Sequence, residues 1–196
     1  MAGNSVDVTQ NVAMTQYTVD PQMSRFTLQA FAAGLLSAVG HNPTFVIRKF
    51  SGEASFGADM LERSSILITI DDAASIEVTG NINDKDRQEI ERRMRDEVLE
   101  VDRFPSIVYR CDRLSGNGNG GQYWVTLQGD LSLHGVTRQQ NVSTSVFLAE
   151  NSLRASGSFS VKQTDFDIEL ISALGGAIRV KDEVKFSFDI VARKVE

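Results

Sequence analysis

Strict alternation of apolar and polar residues marks most of the second half of this chain. In residues 122–135, QYWVTLQGDLSLHG, the apolar Tyr123, Val125 and Leu127 occupy every second position. Because successive side chains of a β-strand point to opposite faces of a sheet, this period of two predicts a strand with one buried face. The same period predicts further strands within residues 136–149, 152–166 and 182–195.

The first half of the chain contains shorter segments of the same kind. Alternation begins near Ser24, and β-branched and aromatic residues fill residues 44–57 and 64–80, which predicts a strand followed by a strand pair. The glycine-punctuated stretch FAAGLLSAVGHNP interrupts this pattern, so a short helical or irregular segment is expected near residues 32–42. Residues 1–16 are polar and aperiodic, and they are predicted to form a flexible N-terminal arm.

One segment has helical periodicity instead. In NDKDRQEIERRMRDEVLEV, the residues Ile90, Met94 and Val98 recur at intervals of four, which gives a narrow apolar stripe. The asparagine and the aspartate at its start are both candidate N-caps. The pattern predicts one amphipathic helix over about residues 84–99, with one face packed against the rest of the molecule.

About eight strands are expected in total, several of them longer than ten residues and joined by hairpin-like links. Long alternating strands close well into an antiparallel barrel, which leaves no unpaired edge. We therefore predict an all-β fold: an extended antiparallel eight-stranded barrel with one inserted helix, in a single domain over residues 17–196. Its inward positions are chiefly leucine, isoleucine, valine, phenylalanine and tyrosine, so any ligand should be apolar.

Composition argues against several classes of partner. The net charge is −6, with 41% hydrophobic and 23% charged residues, and the basic residues are scattered, so a nucleic-acid partner is not expected. The single cysteine, Cys111, excludes an intramolecular disulfide. No stretch approaches the roughly 20 apolar residues of a membrane span. The N-terminus lacks a signal peptide, which predicts a cytoplasmic protein.

Familiar catalytic motifs are missing from the sequence. It contains no HExxH, GxSxG, CxxC or P-loop pattern, and the glycine-rich GNGNGG lies between two strand patterns, where a loop is expected. We therefore expect no enzyme activity, no cofactor and no metal site. One alternative stays open, in which His41 contacts a ligand head group or, with His134 and a carboxylate, binds a metal in an enzyme that acts on a lipid-like substrate.

The order of these stretches resembles the YceI-like family of bacterial lipid-binding proteins over roughly Tyr17 to Lys194. The matching stretches are YTVDPQMSRFTLQ, FSGEASF, RDEVLEVDRFPSIVYRC, GDLSLHGVTRQQNV, VKQTDFDIEL and VKDEVKFSFDIVARK. Two positions depart from the family pattern: Gln163 stands where arginine is usual, and Asp167 where glycine is usual. Within this pattern GDLSLHGVTRQQNV is a hairpin, so His134 is expected at a strand end.

The resemblance implies a lipocalin-like barrel that binds, stores or transports a long-chain amphiphile without catalysis. The ligand would be a polyisoprenoid, an isoprenoid quinone or a fatty-acid derivative. The family also suggests a periplasmic or secreted location, as an alternative to the cytoplasm, and a homodimer as one open oligomeric state. A second functional alternative is a barrel that is filled by its own side chains and serves as a protein-interaction module.

Candidate ligand-binding residues follow from the inward strand positions and the glycine-bounded segment. The opposite strand parity would exchange some of them for their neighbours. The candidate tunnel-lining residues are Phe26, Leu28, Phe45, Ile47, Ile68, Tyr109, Tyr123, Val125, Leu127, Phe186 and Phe188. The candidate entrance residues are Phe31, Leu35, Leu36, Val39 and His41.

Overall fold

The computed structural model describes residues 14–33, 42–173 and 178–196, and most of its regular structure is β-strand. The strands are β1 Thr15–Val19, β2 Arg25–Gln29, β3 Ala32–Ala33, β4 Thr44–Ile47, β5 Ser51–Phe56, β6 Ser65–Ile70, β7 Ile76–Thr79, β8 Ile107–Asn119, β9 Gln122–Leu133, β10 Val136–Leu148, β11 Ser152–Lys162, β12 Ser172–Ala173, β13 Ile178–Val180 and β14 Glu183–Lys194. Helix α1 spans Asp84–Arg93 and continues as a π-helical turn at Met94–Val98, and 3-10 turns lie at Leu61–Arg63, Ala73–Ser75 and Gln163–Phe166.

Eight of the described strands close into an antiparallel barrel. Hydrogen-bonded neighbours run in the order β1, β5, β6, β8, β9, β10, β11 and β14, and β14 pairs again with β1. Closure gives each strand of the ring a partner on both sides, so the ring has no free edge. The predicted fold class, an all-β eight-stranded antiparallel barrel with one inserted helix, is confirmed.

Three walls of the barrel consist of long strands that are each broken once. β1 and β2 both pair with β14. Next to them, β5 pairs with β1 and β4 pairs with β2. Farther along the sheet, β6 pairs with β5 and β7 pairs with β4. The first break is a turn at Asp20, whose carboxylate accepts the backbone N–H groups of Gln22 and Met23 and pairs with Arg193 at 2.9 Å. The hydrogen bond from Arg193 lowers the pKa of the Asp20 carboxyl, and the two backbone N–H groups lower it further.

Helix α1 covers an edge that this arrangement would leave unpaired. β2, β4 and β7 extend the sheet from the first half of β14, and among the described strands β7 pairs only with β4. The backbone N–H of Val78 donates to the Glu91 carboxylate at 3.1 Å, and the Val78 carbonyl accepts a hydrogen bond from Arg87. Side chains of the helix therefore take the place of a neighbouring strand.

The helix begins where the sequence predicts. Asn83 is its N-cap, and the side-chain oxygen accepts the backbone N–H of Asp86 at 3.0 Å. The last turn widens, because the N–H of Leu99 donates to the carbonyl of Met94 at 2.9 Å, five residues earlier. The predicted helix over about residues 84–99 is confirmed.

Burial separates the two faces of the long strands as alternation predicts. On β9, Tyr123 is 8% exposed, whereas its neighbour Trp124 is 60% exposed. On β10, Val146 is 4% exposed and Phe147 is 49% exposed. The candidate residues chosen on β9 therefore lie on the inner face of the barrel.

The glycine-rich run differs from the sequence-based expectation. A loop is predicted there, but β8 pairs with β9 as far as Asn119, and only Gly120 and Gly121 form the turn. Glycine serves close approach in this stretch, since a Cβ atom on Gly118 would lie 2.2 Å from the carbonyl oxygen of Gln122. A local composition typical of loops thus reflects two backbones in close contact.

The segment predicted as helical or irregular begins with a strand. Ala32–Ala33 forms β3, which pairs with β13. A strand this short depends on a partner far away in the sequence, so it leaves no periodic signal of its own. Residues 34–41 lie outside the described residues, as do residues 1–13 of the predicted arm, and β1 already begins at Thr15.

The hairpin between β9 and β10 turns on His134 and Gly135. Leu133 faces Val136 across the turn, and the two turn residues have φ values of 51° and 74°. Two residues with positive φ form a type I′ turn, whose twist matches that of the flanking strands. The prediction that His134 lies at a strand end is confirmed.

Replacing Gly135 with alanine should destabilise the fold more than the same change at Gly120. Both residues have left-handed backbones, but a Cβ on Gly135 would lie 2.6 Å from the Phe104 ring, whereas one on Gly120 would meet nothing within 4 Å. We expect Gly120→Ala to cost about 1 kcal/mol from backbone strain and Gly135→Ala about 2–4 kcal/mol from strain plus the clash. Urea unfolding followed by circular dichroism measures both; equal losses would contradict the argument.

Candidate ligand-binding cavity

The closed ring of strands encloses a cavity of about 100 Å³, which we call the upper chamber. Its wall consists almost entirely of aliphatic and aromatic side chains from the inner face. The candidate tunnel residues that line this upper chamber are Phe26, Ile68, Tyr109, Leu127, Phe186 and Phe188. Inward residues that line it and are missing from the candidate set include Ile66, Leu131, Val142, Val146, Leu153 and Phe159.

The two hydroxyl groups in the wall of the upper chamber form hydrogen bonds within the protein. The Tyr109 hydroxyl donates to the carbonyl of Gln140 at 3.0 Å, and the Thr144 hydroxyl donates to the carbonyl of Val142 at 3.4 Å. Burial raises the pKa of Tyr109 well above its ordinary value and also raises the pKa of the nearby Cys111 thiol. These groups are therefore uncharged at neutral pH. The carboxylate residue in the lining is Glu53, which is exposed.

A second cavity, of about 340 Å³, is called the lower chamber. It lies between the helix and the sheet formed by β2, β4, β7 and the first half of β14. The candidate residues that line it are Leu28, Phe45, Ile47 and Phe186 from the tunnel set and Phe31 from the entrance set. The helix contributes its whole apolar stripe, Ile90, Met94 and Val98. The four-residue spacing of that stripe predicts a buried face, but nothing in it indicates that the face borders a cavity.

Two residues border both chambers, and we call this pair the waist. Phe186 lies on β14 and Ile107 on β8, and each belongs to the lining of both chambers. In the ring order β8 and β14 are four strands apart in either direction, so the two residues lie on strands of opposite walls. Phe186 is further held by Phe159, whose ring is stacked on it with centroids 5.0 Å apart.

Several candidate residues do not line either chamber. Tyr123 and Val125 are buried, and Tyr123 packs edge-on against Phe56 with ring centroids 5.4 Å apart. These two inward positions are buried without lining either chamber. The entrance candidates Leu35, Leu36, Val39 and His41 lie outside the described residues.

The lower chamber reaches the surface beside the small sheet of β3, β12 and β13. Exposed residues of that sheet, Ser172 and Arg179, line the chamber together with Arg93 of the helix. The Arg93 guanidinium pairs with Glu97 at 2.9 Å and donates to the carbonyl of Ser172 at 3.4 Å. Two cationic side chains therefore stand at the end of an apolar space.

The two positions that depart from the YceI-like pattern both have structural roles. Gln163 lines the lower chamber, and its side-chain amide donates to the carbonyl of Lys181 at 2.8 Å. Asp167 has a φ of 56°, in the left-handed region that glycine adopts most easily, at the end of the 3-10 turn. The backbone thus keeps the conformation that a glycine there would favour.

His134 connects the β9–β10 hairpin to the 3-10 turn at Phe166 and to Glu100, which follows the helix. One imidazole nitrogen, Nδ1, lies 3.1 Å from the carbonyl oxygen of Phe166, and Nε2 lies 3.2 Å from the Glu100 carboxylate. The hydrogen bond from Arg103 lowers the pKa of Glu100, and the one from His134 adds to this effect. Both ring nitrogens have partners within the protein, and His134 is not part of either chamber wall.

The metal alternative gains no support from the part of the chain that the structure describes. There, no three histidine, cysteine, aspartate or glutamate side chains lie close enough together to hold a metal ion. His41, the other residue of that alternative, lies outside the described residues. None of the described helices has the length and apolar character needed to cross a membrane.

Solved structures share this architecture at low sequence identity. Burkholderia cenocepacia BcnA is 18% identical, with a TM-score of 0.69 over 88% of this chain and 98% of its own. A polyisoprenoid-binding domain from Saccharophagus degradans is 15% identical, with a TM-score of 0.67 over 93% and 99% of the two chains. A Campylobacter jejuni YceI protein is 15% identical, with a TM-score of 0.59 over 80% and 88%.

Sequence comparison supports the same relationship. No curated protein gives a significant match. Residues 17–192, however, match the YceI-like domain, and this range includes nearly every strand of the barrel and the whole helix. With a matching domain sequence and a matching fold, this chain belongs to the YceI-like family.

Proposed function

We propose that this protein binds a long-chain amphiphile inside its barrel and stores or carries it without catalysing a reaction. The candidate ligands are a polyisoprenoid, an isoprenoid quinone and a fatty-acid derivative. The observation that carries the proposal is the pair of apolar chambers, in a protein whose described buried side-chain nitrogen and oxygen atoms all have hydrogen-bond partners. An apolar chain gains free energy on entering such a space, whereas a polar ligand would lose hydrogen bonds to water without replacement.

The shape of the interior supports one orientation for the ligand. The lower chamber, at about 340 Å³, falls within the usual size of ligand pockets. Its open end carries Arg93 and Arg179, and its far end is the apolar waist. We therefore expect the head group of the amphiphile near the two arginines and its chain along the helix stripe toward Phe186.

The energetics suit a binder with few polar contacts. Each buried methylene group contributes roughly 0.8 kcal/mol, which is about fourfold in affinity. Some fifteen such groups would give on the order of 12 kcal/mol before the cost of immobilising the chain, so micromolar affinity is within reach. The Saccharophagus degradans domain with this fold is described as polyisoprenoid-binding, which supports the same ligand class here.

Filling the lower chamber should weaken ligand binding. Val98 lines this chamber from the helix, so Val98→Trp would place an indole in the space that the chain needs. We expect at least about tenfold weaker binding of hexadecanoate in calorimetry, and loss of any lipid that native mass spectrometry detects in the wild-type protein. Val195→Trp, at a residue that is 50% exposed, is the matched control.

A smaller variant, Val98→Phe, keeps this test informative if the tryptophan variant does not fold, and thermal unfolding identifies a folding defect. The proposal fails if wild-type protein carries no lipid and binds neither acyl nor prenyl chains. It also fails if folded Val98→Trp binds hexadecanoate as tightly as the wild type does.

Neutralising Arg93 should weaken binding of an acidic head group more than that of a neutral one. Arg92 and Arg93 both contact the Glu97 carboxylate, at 3.1 and 2.9 Å, but only Arg93 lines the lower chamber. We expect Arg93→Gln to lower the affinity for hexadecanoate about fivefold and to leave hexadecanol binding nearly unchanged, because a partly exposed charge contributes about 1 kcal/mol. Arg92→Gln is the control, and equal effects of the two changes would exclude a head-group role for Arg93.

A further inference from the structure

We propose that the waist formed by Phe186 and Ile107 controls which chains enter the upper chamber, so that Phe186 determines chain-length specificity. The inference rests on the proposed function, because it concerns how far a bound chain extends. Short chains would occupy the lower chamber alone. Longer chains would displace the Phe186 ring and continue into the upper chamber.

The position of Phe186 supports a restriction across the whole barrel. Its strand, β14, and that of Ile107, β8, are opposite each other in the eight-stranded ring. Both side chains are buried, at 3% and 6% exposure, and both belong to the two chamber walls. A chain that enters from the arginine end therefore meets these two side chains before it reaches the upper chamber.

Neighbouring rings pack against Phe186. Phe159 faces it directly across β11 and β14, with the rings 11° from parallel and 5.0 Å apart. Phe26 approaches the same ring at 6.1 Å. Upper-chamber space of about 100 Å³ lies next to this cluster, so a chain that passes the Phe186 ring reaches open space.

The magnitudes predict when the waist opens. Breaking one aromatic contact weakens binding about two- to tenfold, whereas each additional buried methylene strengthens binding about fourfold. About two methylene groups therefore offset the loss of the Phe159–Phe186 stack. Affinity should rise with chain length, stay level over about two carbons where the chain reaches the waist, and then rise again.

Wild-type protein gives the first test, by NMR of isoleucine δ-methyl groups. Ile90 and Ile168 line the lower chamber only, and Ile68 and Ile190 line the upper chamber only. Fatty acids of increasing length, from about eight to about twenty carbons, are titrated in turn. We expect short acids to shift the two lower-chamber methyl signals and only longer acids to shift the upper pair as well.

Variants give the second test, in calorimetry with the same fatty acids. Phe186→Ala should remove the level region and strengthen binding of the longest acids at least about fourfold relative to the shortest. Phe186→Leu, which retains more of the core packing, should shorten the level region. Phe147→Ala is the control, because Phe147 is 49% exposed on the outer face of β10 and lines neither chamber.

The outcomes separate this inference from the proposed function. If neither these acids nor prenyl alcohols of similar length shift any of the four methyl signals, the proposed function itself fails. If the shortest acids already shift Ile68 and Ile190, the waist does not restrict entry. The inference is likewise overturned if acids bind but Phe186→Ala leaves the same dependence on chain length as the wild type, or if Phe147→Ala changes that dependence as much.

Discussion

The hydrogen bonding of β14 along both of its edges is the constraint on which the rest of the structure depends. One edge pairs with β11 from Lys162 to Ser152. The other edge is shared, since its first half pairs with β2 and its last residues pair with β1. Pairing with β1 closes the ring, whereas pairing with β2 leads into the strands β4 and β7, which end in an edge. The amphipathic helix is needed because that edge would otherwise expose backbone groups and apolar side chains.

This division of β14 also divides the interior. The closed ring packs its inward side chains tightly and leaves only a small chamber, whereas the part walled by the helix keeps a larger one. A helix presents a narrow apolar stripe that does not interlock with a sheet as closely as a paired strand would. The larger chamber opens beside charged residues of the helix and the small sheet, so an apolar space and a polar rim arise from one architectural feature.

Residues that suggest chemistry in the sequence have structural roles where the structure describes them. His134 takes the left-handed position of a type I′ turn and bonds to Phe166 and Glu100, which ties the hairpin to the end of the helix and to the 3-10 turn. Cys111 lies at an irregularity in the pairing of β8 with β9, where burial keeps its thiol neutral. Each is explained by packing and hydrogen bonding alone.

The sequence by itself determined most of the long strands, their inward faces and the helix, because a period of two or of nearly four can be read locally from residues such as Tyr123 and Ile90. It could not determine which inward residues border open space. Tyr123 and Leu127 share one face of β9, yet only Leu127 lines a chamber, since Phe56 from another strand fills the space beside Tyr123. The waist could not be predicted from the sequence either. Phe186 and Ile107 are distant in sequence, and only closure of the ring brings their strands to opposite walls of one barrel.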